Sequence, residues 1–157
     1  MQAPSTAAET FILCELAGTT YAIPSRVVQQ VEMIEQITPV PNVPAFVEGV
    51  VFARGQVIPA LNLRLRFGLE RQPHNLRTRL IVVQQGGRTV GLVVDSAREF
   101  LPIPSGAIQP PPEAAGGLRG DYLEGIATLG ERLVLILRVE ELLSGSAPLS
   151  LPDAPAP

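Results

Sequence analysis

The sequence predicts a mainly β protein, a barrel or a sandwich. Three observations predict it. Short apolar runs alternate with turn residues, and sixteen Pro and fourteen Gly are spread along the 157 residues. Gly86-Gly87 and Gly130-Glu131 sit between strand-like runs and read as hairpin turns. Helix signals are few. With 46% hydrophobic and 17% charged residues, the composition excludes disorder for most of the chain.

The elements follow in order. Thr10–Leu16 reads as a strand, and Gly18-Thr19-Thr20 turns it into Tyr21–Ile23. Pro24-Ser25 before Arg26–Gln30 suits a short helix capped by Ser25. Val28–Ile34 reads equally as a strand with Val28, Gln30, Glu32 and Ile34 on one face. Val47–Ala53 and Gln56–Leu63 flank Arg54-Gly55. Leu61, Leu63, Leu65 and Phe67 alternate with Asn62, Arg64 and Arg66, which predicts a strand with one core face and one wet face. Arg79–Gln84 and Arg88–Asp95 form one hairpin, Ile126–Leu129 and Leu133–Leu137 another. Arg138–Leu143 is the expected terminal helix, stopped by Ser144-Gly145. The Pro/Gly connection 102–120 is expected to be irregular. Residues 1–9 are expected as a flexible arm and 145–157 as a disordered Pro/Ser/Ala tail, which leaves a body of 10–144.

Composition also excludes function classes. All twelve basic residues are Arg, and they face fifteen acids for a net charge of −3. Such a chain is a poor general binder of nucleic acid or of an anionic membrane. Without Lys there is no Schiff-base chemistry, and the one Cys allows no internal disulfide, which fits a reducing compartment. Apolar runs such as Leu133–Leu137 are too short to span a bilayer, and the N-terminus has no basic or apolar region of a secretory signal.

The candidate chemistry is thin. His74 lies in a polar loop with no Ser or Cys placed to pair with it, so it reads as a solvated loop histidine. Cys14, beside Leu13 and Leu16, reads as a small core residue. The glycine runs at Gly86 and at Gly116-Gly117 lack the strand–loop–helix context of a phosphate loop. Asp95 ends a strand, where a turn hydrogen bond is expected, and Glu140-Glu141 reads as a wet helix face. No His/Asp/Glu grouping has metal-ligand spacing, and no cofactor is implied. Arg64, Arg66, Arg71, Arg77 and Arg79 cluster, with Glu70 opposing them. They read as a solvated face or as a patch for an acidic surface. An oligonucleotide-binding barrel would interleave exposed aromatics here, and the chain has no Trp. Arg54 sits between Val50-Val51-Phe52 and Val57-Ile58-Pro59, the makeup of an interface anchor in an apolar rim.

An ordered set of segments resembles CheW-type domains. It begins with Tyr21-Ala22-Ile23-Pro24, Val28-x-x-Val31 and the block Ile37–Val50 containing Pro44-Ala45-Phe46-Val47-Glu48-Gly49. Arg54-Gly55-Gln56-Val57-Ile58-Pro59, Asn62-Leu63-Arg64-x-Arg66-Phe67 and Val90–Asp95 follow. Tyr122–Ile126, Gly130-Glu131-Arg132-Leu133 and the close at Glu141-Leu142-Leu143 complete it, so the resemblance spans roughly 11–143. It implies two packed five-stranded SH3-like β-barrels with a short C-terminal helix. It also implies a non-enzymatic adaptor of bacterial chemotaxis, cytoplasmic and placed at receptor arrays, without insertion in the membrane. The implied partners are the cytoplasmic tip of methyl-accepting chemoreceptors and the regulatory domain of the histidine kinase CheA.

By matched position the resemblance places Val28, Gln30, Val31, Glu48, Gly49, Arg54 and Gly55 in the receptor and kinase contact region. Two positions depart from the pattern. Gln30 stands where the family has Glu, and Phe52-Ala53 where it has Asn-Leu. A same-fold adaptor of a non-flagellar system, such as twitching, is the alternative. A β-barrel nucleic-acid binder and an enzyme using His74 as base remain as other classes. Salt-dependent oligonucleotide shifts and replacement of His74 discriminate these two.

Overall fold

Runs that are apolar at every position, rather than at alternate ones, dictate the architecture. Phe11–Cys14 and Leu80–Val83 are buried at each residue. A strand sends successive side chains to opposite faces, so such runs need cover on both. The computed structural model, which describes residues 8–34, 36–53, 55–111 and 122–144, supplies that cover with two barrels packed on each other.

Barrel one is a five-stranded sheet in the order β3-β6-β7-β5-β4, made of β3 (Val28–Met33), β4 (Val47–Ala53), β5 (Gln56–Asn62), β6 (Arg79–Gln85) and β7 (Arg88–Val94). Barrel two takes β1 (Ala8–Leu16) and β2 (Thr19–Pro24), then β8 (Ser96–Pro104), β9 (Ile108–Gln109), β10 (Leu123–Leu129) and β11 (Arg132–Leu137). Its order is β8-β1-β2-β11-β10-β9. The two edges of this six-stranded sheet are one stretch of chain, because β8 runs through the 3-10 turn Ser105–Ala107 into β9. Counted as one bent strand, it makes barrel two five-stranded as well. Barrel one is thus a continuous insert between β2 and β8, and the chain crosses between barrels at Ser25–Val27 and at Asp95.

Side chains sort by strand parity. Leu80, Val82 and Val93 fill barrel one with Ile58 and Ala60. Phe11 and Leu13 fill barrel two with Ile103, Val134 and Ile136. The alternate residues Ile12, Cys14, Ile81, Val83, Leu92 and Val94 meet in a third core between the barrels. The terminal helix α2 (Val139–Ser144) closes that core with Val139, Leu142 and Leu143, and Arg88 of barrel one donates to the Leu143 carbonyl at 2.7 Å.

The two hairpins expected at Gly86-Gly87 and Gly130-Glu131 are present. Four expectations need correction. The alternating run does not continue as a strand past Asn62: Leu63–Arg66 forms the short helix α1. The Asn62 side chain accepts from the Leu65 N–H at 3.1 Å, and this N-cap overrides the two-residue period. Asn62 is therefore buried rather than wet. Pro24, not Ser25, stands at the N-cap position of the 3-10 turn at the first crossing, with no side-chain cap hydrogen bond, and Val28–Met33 beyond the turn is strand. β8 and β9 occupy the start of the connection expected to be irregular, while 112–121 lies outside the described residues. Finally, β1 starts at Ala8, inside the expected arm; 1–7 and the tail 145–157 also lie outside the described residues.

Gly49 shows how tightly barrel one closes. Its φ is +148°, and a Cβ there would stand 2.1 Å from the Thr38 carbonyl oxygen. Thr38 and Val50 exchange backbone hydrogen bonds at 2.9 and 2.8 Å across this contact. At Gly91 the obstacle is only the tip of the Leu80 side chain, 2.6 Å from the added Cβ. Gly49→Ala is expected to cost about 2–4 kcal/mol and Gly91→Ala about 1 kcal/mol. Urea melts of the two variants check the order; equal losses would contradict the backbone clash.

Candidate partner-binding surface

Two polar anchors hold the elements that carry the site. The first is centred on Glu48 of β4. Its carboxylate accepts from the Asn62 side chain and from Arg71 at 3.0 and 3.1 Å, and His74 Nε2 lies 3.6 Å away. Burial alone would push the Glu48 carboxyl up; hydrogen bonds from Asn62 and Arg71, with the Arg71 and His74 charges, hold it below the usual range. His74 is therefore not simply a solvated loop residue: it leans on this carboxylate.

The second anchor is Asp95, at the crossing between barrels. Arg64 Nε and Nη2 donate to its two oxygens at 2.8 and 2.6 Å, and the Ala17 N–H donates at 2.8 Å. Burial opposes ionisation here too, and Arg64 with the Ala17 N–H outweighs it, so the Asp95 carboxyl is also held low. Asp95 does not make the local turn hydrogen bond expected of it; its carboxylate accepts from Ala17, 78 residues away in sequence, and pairs with Arg64. These anchors consume much of the arginine cluster. Arg71 is spent on Glu48 and Arg64 on Asp95, Arg66 lies over the Phe46 ring, and Arg79 donates to the Leu76 and Thr78 carbonyls.

The residues expected at the contact region fall on the two edges of the barrel-one sheet. Val28, Gln30 and Val31 lie on β3, half-buried, with Val28 and Val31 packed against the core between the barrels. Gln29 donates across to Gln84 of β6 at 2.7 Å. Glu48 and Gly49 lie on β4, where Glu48 is the anchor just described and Gly49 serves the close approach to Thr38. Gly55 has φ +80°, which the turn from β4 to β5 requires of a glycine. Arg54 lies outside the described residues.

Between the two edges runs a groove of about 410 Å³, lined by Met33, Ile34, Thr38, Val50, Phe52 and Val57 among others. Phe52 is 74% exposed, and its cross-strand partner Val57 is 57% exposed. Met33 on the opposite edge is 55% exposed. Three large apolar side chains around one groove mark a contact surface better than any charge here. Sequence reasoning placed Phe52 and Val57 in the apolar rim around Arg54 but passed over Met33. Its signal was an apolar residue at the exposed end of β3.

The sequence profile of the CheW-like domain matches residues 10–147. The chain is 34% identical over 142 residues to the chemotaxis protein CheW of Klebsiella aerogenes, covering 90% of this chain and 86% of that one. It is 38% identical over 135 residues to the chemotaxis protein CheW of Helicobacter pylori, covering 85% and 80%. Among solved structures it resembles the scaffolding protein TtCheW from Thermoanaerobacter tengcongensis, with a TM-score of 0.85, 29% identity, and coverage of 92% of this chain and 99% of that one.

The two depressed carboxylates set an acid limit. A carboxyl held below its unfolded pKa of about 4 adds stability that is complete above that value. The contribution is lost as pH falls through the folded pKa. Thermal melts are expected to be flat from neutral pH down to about pH 5 and to fall steeply below pH 4. Asp95→Asn should cost about 1–3 kcal/mol at pH 7 and flatten the acid limb. An unchanged acid limb in Asp95→Asn would show that the Arg64 pair is not its source.

Proposed function

The chain belongs to the CheW-like domain family, the adaptors of chemotaxis signalling, and from that premise we propose which partners it couples and through which residues. It links the cytoplasmic tip of methyl-accepting chemoreceptors to the regulatory domain of the histidine kinase CheA, in the cytoplasm and without catalysis of its own. The observation that carries the reading is the groove of barrel one, with Met33, Phe52 and Val57 exposed around it and Gly55 turning beside it. Apolar anchors in a polar rim are the usual source of binding energy at protein interfaces. Nothing comparable supports an enzyme. Cys14 is buried, and burial pushes its thiol up to about 12, followed by the nearby Asp95 and Glu15 charges, so no thiolate is available near neutral pH. Among the described residues no helix is long and apolar enough to cross a membrane.

Within this reading Val28, Gln30 and Val31 contribute one edge of the contact and Glu48, Gly49, Arg54 and Gly55 the other. Arg54, which follows Phe52-Ala53 in sequence, is the charge this reading assigns to the contact. With Gln30 in place of Glu, its own chain offers Arg54 a neutral side chain at that position, which favours pairing with a carboxylate of the partner.

Calorimetric titration of the kinase regulatory domain and of the receptor tip tests this. Arg54→Ala is expected to cost roughly 2–4 kcal/mol of binding and Arg54→Glu more, with the melting temperature little changed. Gln30→Glu should weaken binding modestly by drawing Arg54 back to its own chain. If Arg54→Ala binds both partners like the wild type, or unfolds, the assignment of Arg54 to the interface is wrong.

A further inference from the structure

Arg66 ends α1 with its guanidinium over the Phe46 ring, 4.4 Å from the ring centre, and 5.4 Å from the centre of the Tyr122 ring. Its Nε and Nη2 atoms are buried and have no hydrogen-bond partner. These are the same two nitrogens with which Arg64, one helix position pair earlier, grips both oxygens of Asp95. The chain thus holds two guanidinium forks two residues apart, one filled by a carboxylate and one empty. Burying charged donors without acceptors is costly, and a Met or Leu would stack on the two rings without that cost.

We infer that Arg66 is a reserved carboxylate site, filled by an acidic side chain of the protein that docks on barrel one. The inference rests on the adaptor reading and deepens it. Among the described residues no carboxylate fills the fork: Glu48, Asp95, Glu15, Glu9, Glu124 and Glu99 are engaged with other arginines. Planar bidentate geometry selects a carboxylate over a neutral acceptor. The site is continuous with the expected contact region. Phe46 lies two residues before Glu48, and the Asn62 side chain ties the start of α1 to the Glu48 carboxylate. The nearer of the two rings over the guanidinium is that of Phe46, which is itself half-buried and so reaches the surface. The Phe46 carbonyl accepts from the Asn62 N–H at 2.7 Å, which ties the residue before β4 to the start of α1.

The test compares the wild type, Arg66→Met and Arg66→Lys. Arg66→Met keeps the stem and removes the fork; Arg66→Lys keeps the charge and removes the bidentate geometry. Melting curves are expected to place Arg66→Met at or above the wild type, because two buried N–H donors without acceptors are gone while the stacking on the two rings is kept. Titration against the kinase regulatory domain and the receptor tip should show at least one of the two bound about tenfold more weakly by both variants. In the ¹⁵N spectrum of arginine side chains, the Arg66 Nε–H should shift downfield and gain exchange protection when that partner is added to wild type. A lower melting temperature for Arg66→Met, including failure to fold, would overturn the inference, since the fork would then serve the free chain. So would wild-type affinity in Arg66→Met or in Arg66→Lys, or an Nε–H resonance unmoved by a bound partner. If the wild type binds neither domain, it is the adaptor reading that fails.

Discussion

The structure depends on the core between the barrels. Each barrel is too small to bury a large lumen: barrel one is filled by a handful of side chains such as Ile58, Leu80 and Val82. The larger apolar cluster lies outside both lumens, where Ile12, Cys14, Ile81 and Val83 meet across the interface with Leu142 and Leu143 of the closing helix. Burial of a Leu or Ile side chain contributes roughly 1.5–3 kcal/mol, so this shared cluster outweighs either lumen. A strand that serves a lumen on one face and the interface on the other has no solvent face. That is why β1 and β6 read as unbroken apolar runs.

Polar anchoring sits at the rim of this core. Asp95 stands where the chain leaves barrel one, and its partners come from α1 and from the turn after β1. Glu48 ties β4 to α1 and to the loop carrying Arg71 and His74. Both carboxylates are partly buried and fully partnered, the condition under which buried charge is tolerated. With Arg64 and Arg71 spent on these anchors, the exposed surface around the groove is apolar: Phe52, Val57 and Met33.

Much of this was legible in the sequence, and the failures have physical causes. Gly86-Gly87 and Gly130-Glu131 announced their hairpins because tight turns demand positive φ, and all three glycines have it. Cys14 read correctly as core because its neighbours are apolar on both sides. Leu61–Phe67 misled because a two-residue period and one helical turn both bury Leu61 and Leu63; only the Asn62 cap decides between them. β8 escaped notice because prolines at 102 and 104 mask its pattern, although they occupy an edge strand that tolerates them. The site was legible in part. The edge strands β3 and β4 were located, but the pairing of Glu48 with Arg71 and of Arg64 with Asp95 spans 23 and 31 residues and leaves no local trace.

The insertion of barrel one between two pieces of barrel two has a mechanical consequence. Two bodies joined by one linker swing freely unless a large apolar interface holds them. Here there are two covalent tethers, and the apolar core between the barrels lies between them. The first lies beside the Arg26–Glu9 pair, the second at Asp95 itself. A close-packed interior between the tethers resists shear and compression. A partner that pulls on barrel one therefore loads barrel two directly, and the molecule works as a strut rather than as a hinge.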